Sequence, residues 1–340
     1  METRANDIET CHERGWTDGL PVVPPTPELV SAMLASTGDN PASVVCHLPP
    51  ASGEATLERI AANAVMAGCL PEHLPVLVAA LRAAADDTFH LYDILTTVHS
   101  MCPLLLVSGP LARELDMNGG VNALGQGNRA NASLGRALSL CFRNIGGARP
   151  GGLDPATIGH PGKYSYCYTE NSELSPWPEL HVERGHAADA STVTLYPADA
   201  PLCVAEMGNA DPEHILRTVA ECAAIPGTYN AFFRGELWLV MSPEHANVIA
   251  RAGWSKNDAK QYLFENARIR AGDLSDRGLY AFADDVLRPP WLDEAEPDDM
   301  IPLVETADRV TITVAGGPYG GYTSIVFGEL AGSITREIET

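Results

Sequence analysis

Apolar and polar positions along the chain alternate between two rhythms. Leu57, Ile60, Ala61 and Val65 recur at helical spacing, and Ser255 with Asp258 sets an S-x-x-D capping box ahead of Tyr262 and Leu263; both patterns predict helices. The runs PLLLVSG (Pro103 to Gly109) and TITVAGG (Thr311 to Gly317) are short, apolar and closed by glycine, as buried strands are. GWTDGLPVVPPTP, from Gly15 to Pro27, joins an Asp-Gly turn to prolines that forbid regular helix. Residues 1–30 are therefore expected to form an extended N-terminal arm, packed on the body or on a second subunit.

The order of these elements repeats. Ser43–Leu48, then Pro71-Glu-His73 leading into LPVLVAALRAA, then PLLLVSGP is one series. Thr192–Tyr196, then Pro212-Glu-His214 leading into ILRTVAECAA, then ELWLVMSP is the other. Each continues through a short and a longer helix to a strand-like run, KYSYCYT or RVTITVAGG. The expected fold is α/β, with two pseudo-repeated α/β halves and mixed sheets, a first half over 31–188 and a second over 189–340. Chance similarity of two α/β units is the competing reading.

Composition supports a packed fold: 45% of the 340 residues are hydrophobic and 19% charged, far from the signature of disorder. The formal net charge of −22 repels phosphate backbones and anionic headgroups, so neither nucleic acid nor membrane is an expected partner. A small anionic substrate would need a local basic pocket. The first ten residues carry no apolar stretch, and no segment approaches the ~18 apolar residues of a spanning helix, which predicts a cytoplasmic protein. Eight scattered cysteines without a C-x-x-C pair speak against a disulfide scaffold or a zinc knuckle.

Candidate chemistry concentrates between Asn118 and His186. If Asn128 to Arg143 is helical, Arg129, Arg136 and Arg143 fall near one face, a basic stripe that is either solvated or holds a substrate anion, with Asn128 beside it. A loop with six glycines and three prolines follows, from Gly146 to Gly162, and reads as a lid or as a plain excursion. Lys163, Cys167, Glu170, Asn171, Glu173, His181, Glu183 and Arg184 come next. Glu170, Glu173, His181 and Lys163 are candidates for proton transfer. His181 and Glu183 would share one face of a strand, as an acid–base pair or as two ligands of a divalent metal, the alternative being a salt-bridge network. Cys167 is a candidate nucleophile or a buried thiol. Gly316 and Gly317 open a second glycine-rich loop able to bind an anion through backbone N–H groups. With no Walker lysine and no G-x-G-x-x-G, no nucleotide cofactor is expected.

GWTDGLPVVPPT, GQGNRANASLGRAL, the run from Gly146 to Trp177, LHVERG, the run from Pro243 to Arg268 and VAGGPYGGYTS together resemble a bacterial family of largely uncharacterised proteins associated with small UGSC thiol or selenol proteins. The resemblance covers most of the chain. It implies that Asn128, Arg129, Arg136, Lys163, Glu170, Asn171, Glu173, His181, Glu183 and Arg184 act as one constellation. This chain has no UGSC or C-G-S-C tetrapeptide, so a thiol role would belong to a partner. Ser172, Tyr319 and Tyr322 depart from the family pattern, which puts basic catalysis by the second glycine loop in doubt.

The functional expectation is an enzyme acting on a small anionic metabolite by acid–base or metal-assisted lyase or hydrolase chemistry, near the junction of the halves. A noncatalytic subunit bound to a small thiol or selenol protein and a small-molecule binding protein are the alternatives, and a homodimer is a further possibility.

Overall fold

The computed structural model describes residues 2–35, 37–208, 210–274, 289–328 and 332–339. Helices α1 (Glu2–Glu13) and α2 (Pro27–Leu34) precede a hairpin, β1 (Val44–Leu48) with β2 (Gly53–Thr56). Then come α3 (Leu57–Ala67), α4 (Leu74–Ala84), α5 (Leu91–Thr96), β3 (Cys102–Ser108), α6 (Pro110–Glu114), α7 (Arg129–Asn144), β4 (Cys167–Thr169) and α8 (Leu180–Glu183). Next follow β5 (Thr192–Ala198), β6 (Leu202–Ala205), α9 (Pro212–Ala223), α10 (Tyr229–Phe233), β7 (Leu237–Met241), α11 (Pro243–Arg251), α12 (Lys256–Asn266) and β8 (Arg268–Arg270). The chain closes with α13 (Pro290–Glu294), β9 (Met300–Pro302), β10 (Val310–Val314), β11 (Tyr322–Val326) and β12 (Ile334–Glu337). It is a mixed α/β protein, and no described helix is long and apolar enough to cross a membrane.

Two four-stranded sheets, β12-β5-β3-β4 and β10-β7-β11-β6, lie face to face. Successive strand residues point to opposite faces, so β3 divides its apolar run. Leu104 and Leu106 meet Tyr168, Tyr196 and Trp238 between the sheets, while Leu105 and Val107 pack outward beneath α3, α4 and α7. In the second sheet Trp238 and Val240 face inward, and Leu237, Leu239 and Met241 pack under α9, α11 and α12. This double burial is why the strands read as unbroken apolar runs, each fully buried Leu contributing about 2 kcal/mol. Tyr168, whose hydroxyl lies 2.8 Å from Thr313 Oγ1 and accepts from Trp238 Nε1 at 2.8 Å, joins the sheets through their middle.

Both sheets have one pattern of strand directions: a parallel pair (β3 with β4, β7 with β10), then two antiparallel neighbours. The boundary expected at 188/189 nevertheless cuts through a sheet. β5 pairs with β3 from Cys102↔Ala198 to Ser108↔Thr192, and β12, from the chain's end, pairs with β5. The central β3 needs a hydrogen-bonding neighbour on each edge, and Thr192–Ala198 supplies one. Ser43–Leu48, matched to that strand by sequence, instead pairs only with β2 in a separate hairpin.

The N-terminal region differs from a continuous extended arm. Residues 15–26 are irregular, but helices flank them, and Pro27 stands in the first turn of α2, where its missing N–H costs nothing. The segment packs on its own chain: Val22 is buried and Val23 N–H donates to Met66 O at 3.1 Å.

Candidate functional site

The helix expected from Asn128 forms, with Asn128 as its N-cap accepting from Asn131 N–H at 3.0 Å and donating to Asp116 O at 2.7 Å. Its arginine stripe is engaged with the protein's own chain, and of the three only Arg143 also lines a cavity. Arg129 Nε donates to Gly68 O at 2.9 Å, and Arg143 Nη1 to Gly15 O at 2.9 Å. Arg136 makes a two-pronged pair with Asp18 at 2.9 and 2.8 Å and also reaches Leu20 O and Pro21 O. Asn128, Arg129 and Arg136 thus hold secondary structure and the 15–26 segment in place. Sequence spacing placed them on one face but carried no sign of what that face would meet.

Glu170, Asn171, Gly316 and Gly317 do come together, where the two sheets join. Asn171 N–H donates to Val314 O at 2.8 Å and its side-chain amide to Gly316 O at 3.0 Å, while Gly316 N–H donates to Gly119 O at 2.8 Å. Glu170 is buried, accepting from Leu180 N–H at 2.7 Å and Val314 N–H at 3.4 Å. Burial pushes its carboxyl up to about 7, with Lys256 pulling the other way. The contacts made by Glu170 and Asn171 fasten one sheet to the other.

His181 and Glu183 are not on a strand. They occupy the helical turn α8, where residues two apart do not face each other. His181 is 2% exposed with Nδ1 3.3 Å from the Glu179 carboxylate, whereas Glu183 pairs with Lys256 at 2.9 Å and with Lys260. The lysines outweigh the effect of burial and hold the Glu183 carboxyl below its usual range. Among the described residues no group of three His, Cys, Asp or Glu side chains is placed to hold a metal ion. Arg184 binds Glu236, Thr335 and Ser333 between the sheets. Cys167 lies in the helix-facing core and burial pushes its thiol far up, the opposite of what a nucleophile requires. Glu173 is exposed in a surface groove beside α11.

Lys163 alone of the expected catalytic residues opens onto a cavity of about 540 Å³ formed beneath the glycine-rich 146–162 loop. Its walls are mainly apolar, among them Leu95, Met101, Phe142 and Ile158, and three nitrogen-bearing side chains reach it: Lys163, His160 and Arg143. Lys163 Nζ donates to Asp154 at 3.0 Å. Burial pushes the His160 imidazole below its usual range, against the pull of Asp199, so the ring is neutral at pH 7. Gly162 N–H donates to His160 Nδ1 at 3.1 Å, which leaves the ring proton on Nε2, 3.6 Å from Cys102 Sγ. Burial pushes the Cys102 thiol up to about 12, so His160 and Cys102 are a donor and a thiol rather than an ion pair. The mainly apolar cavity therefore presents a cationic ammonium, an imidazole N–H and a guanidinium together with two carboxylates, Asp154 paired with Lys163 and Asp18 paired with Arg136. His160 and Cys102 escaped sequence reasoning; the only signal for His160 was its place in the long loop.

No protein-family model matches the chain, and no curated protein matches it.

Proposed function

We propose that the protein is an enzyme acting on a small organic anion with an apolar body, held in the cavity beneath the 146–162 loop. The observation that carries this reading is the convergence of Lys163, His160 and Arg143 on a mainly apolar chamber of about 540 Å³, whose two carboxylates, Asp154 and Asp18, are already paired with Lys163 and Arg136. Sites for small molecules have this make-up, a hydrophobic wall with a few placed polar groups. Lys163 and Arg143 bind the anionic group, and His160 Nε2–H donates to an oxygen that gains charge, as lyase or hydrolase chemistry needs. The test combines native mass spectrometry of the purified protein with calorimetric titration of a panel of C3–C6 carboxylates. Binding lost in Lys163→Ala supports the site; uniform weak binding in wild type and variant removes it. Tight retention without any product would make this a binding protein instead.

One observation favours a second reading, a subunit that docks a small thiol or selenol protein over the cavity. Apolar side chains stand exposed at its mouth: Ile158, 90% exposed, and Tyr164 line it, and Val98 sits beside them, its carbonyl accepting from Thr157 N–H at 2.9 Å. Purification of the native complex separates the two, a stoichiometric small thiol protein supporting docking and a lone chain opposing it.

A further inference from the structure

Ligands of open α/β sheets bind in the crevice beyond the carboxyl ends of their strands, and each four-stranded sheet here has one parallel pair, β3 with β4 and β7 with β10. In the first sheet the chain fills that end itself. Gly109, directly after β3, is so close to Ala190 that a Cβ would lie 2.2 Å from the Ala190 carbonyl oxygen. Its N–H donates to the Glu179 carboxylate at 2.8 Å, and Leu111 N–H donates to Ser191 Oγ at 3.0 Å. In the second sheet the same end is open among the described residues. A cleft of about 240 Å³ lies between Asn122–Gly125 and the loop after β10, and a groove of about 520 Å³ runs beside α11; Tyr319 lines both.

We infer that this cleft binds a neutral, hydroxyl-rich ligand, a saccharide of one or two rings stacked on Tyr319. The inner cleft is lined by no charged side chain among the described residues; its polar side chains are the amide of Asn122 and the hydroxyls of Ser242, Ser324, Tyr319 and Tyr322. The outer groove sets Glu173 and Glu244 against Arg251, with Asn247 beside them. An anion would meet the two carboxylates, and a cation would meet Arg251 and then an uncharged interior. Sugar hydroxyls donate and accept, and so match amide, hydroxyl, carboxylate and guanidinium together. Tyr319 is 90% exposed, and its ring face suits the C–H face of a pyranose. The loop that presents it is held at both ends, Gly316 N–H donating to Gly119 O at 2.8 Å and Gly320 N–H to the Glu244 carboxylate at 2.6 Å, so little ordering is left for binding. This site shares no lining residue with the cavity beneath the 146–162 loop and stands independently of the function proposed there.

The experiment is saturation-transfer NMR and calorimetric titration of the full chain with glucose, N-acetylglucosamine, maltose and cellobiose, and with spermidine and citrate as charged probes. At least one sugar is expected to bind, with affinity reduced tenfold or more in Tyr319→Ala, retained in Tyr319→Trp and unchanged in Lys163→Ala. Tyr319 is so exposed that its removal leaves the fold intact. No binding by any of the four sugars, sugar binding indifferent to Tyr319→Ala, or Tyr319-dependent binding of spermidine or citrate overturns the inference.

Discussion

Arg136 and Asp18 meet across 118 residues of sequence, two guanidinium nitrogens facing two carboxylate oxygens at 2.9 and 2.8 Å. Both side chains are largely buried, so the pair holds the 15–26 segment against α7. Burial raises the Asp18 carboxyl, but hydrogen bonds and charge from Arg136 outweigh it, and the folded value is depressed. A depressed carboxyl contributes stability above its unfolded value, near 3.9, and that contribution is lost as pH falls through the folded value. Arg136→Ala is expected to cost about 2–3 kcal/mol in denaturant unfolding at pH 7, because it leaves a buried carboxylate unpaired. Limited proteolysis should then cut first between residues 15 and 26. Unchanged stability and protease resistance would show that the segment is held by its apolar contacts alone.

Glu170 predicts the opposite slope. Its folded carboxyl lies at about 7, raised by burial, so its contribution is full below the unfolded value and is lost as pH rises through 7. Between pH 5 and 8 the stability of wild type is expected to fall by about 3 kcal/mol relative to Glu170→Gln. The variant keeps an acceptor for Leu180 N–H and has no charge to bury. Parallel pH profiles for the two proteins would remove the assignment.

His160 gives the cavity a pH signature. Its imidazole is held below the usual range and is neutral at pH 7, so acidification adds a positive charge to a chamber that already holds Lys163. Affinity for a short carboxylate should rise several-fold from pH 7 to pH 5, and the rise should vanish in His160→Gln. The ligand must keep its own charge over that range, which titration of the free carboxylate verifies.

Thiol reactivity separates the cysteines. Cys203 is exposed, whereas Cys141 and Cys167 are buried with thiols pushed far up and Cys102 is buried with its thiol at about 12. Brief alkylation of the native protein followed by peptide mass spectrometry should label Cys203 and spare the other three, which react only after unfolding. Rapid labelling of Cys167 would restore it as a nucleophile and contradict its placement in the core.

How much of this was legible beforehand follows from the range of each interaction. Short-range signals carried through: β3 and β10 arise where short β-rich apolar runs are closed by glycine, α7 starts at its Asn128 cap, and the Ser255–Asp258 capping box closes as spelled. These features depend on residues a few positions apart, and period and cap chemistry encode them locally. Tertiary structure decided the rest. The arginine stripe was readable, but its partners lie more than a hundred residues upstream or in a preceding loop, and only packing brought them near. The strand rhythm around His181 gave way to a helical turn tied by Glu170 and by the two lysines of α12. Thr192–Ala198 joined β3 because a central strand must be paired on both edges, a demand that no local pattern expresses. Lys163 and His160 are close in sequence, yet their common chamber exists only because α7, the start of β3 and the 146–162 loop enclose it. Sequence determined which segments could be helix or strand and which residues carried charge; long-range burial decided which of those charges face a ligand and which face the protein itself.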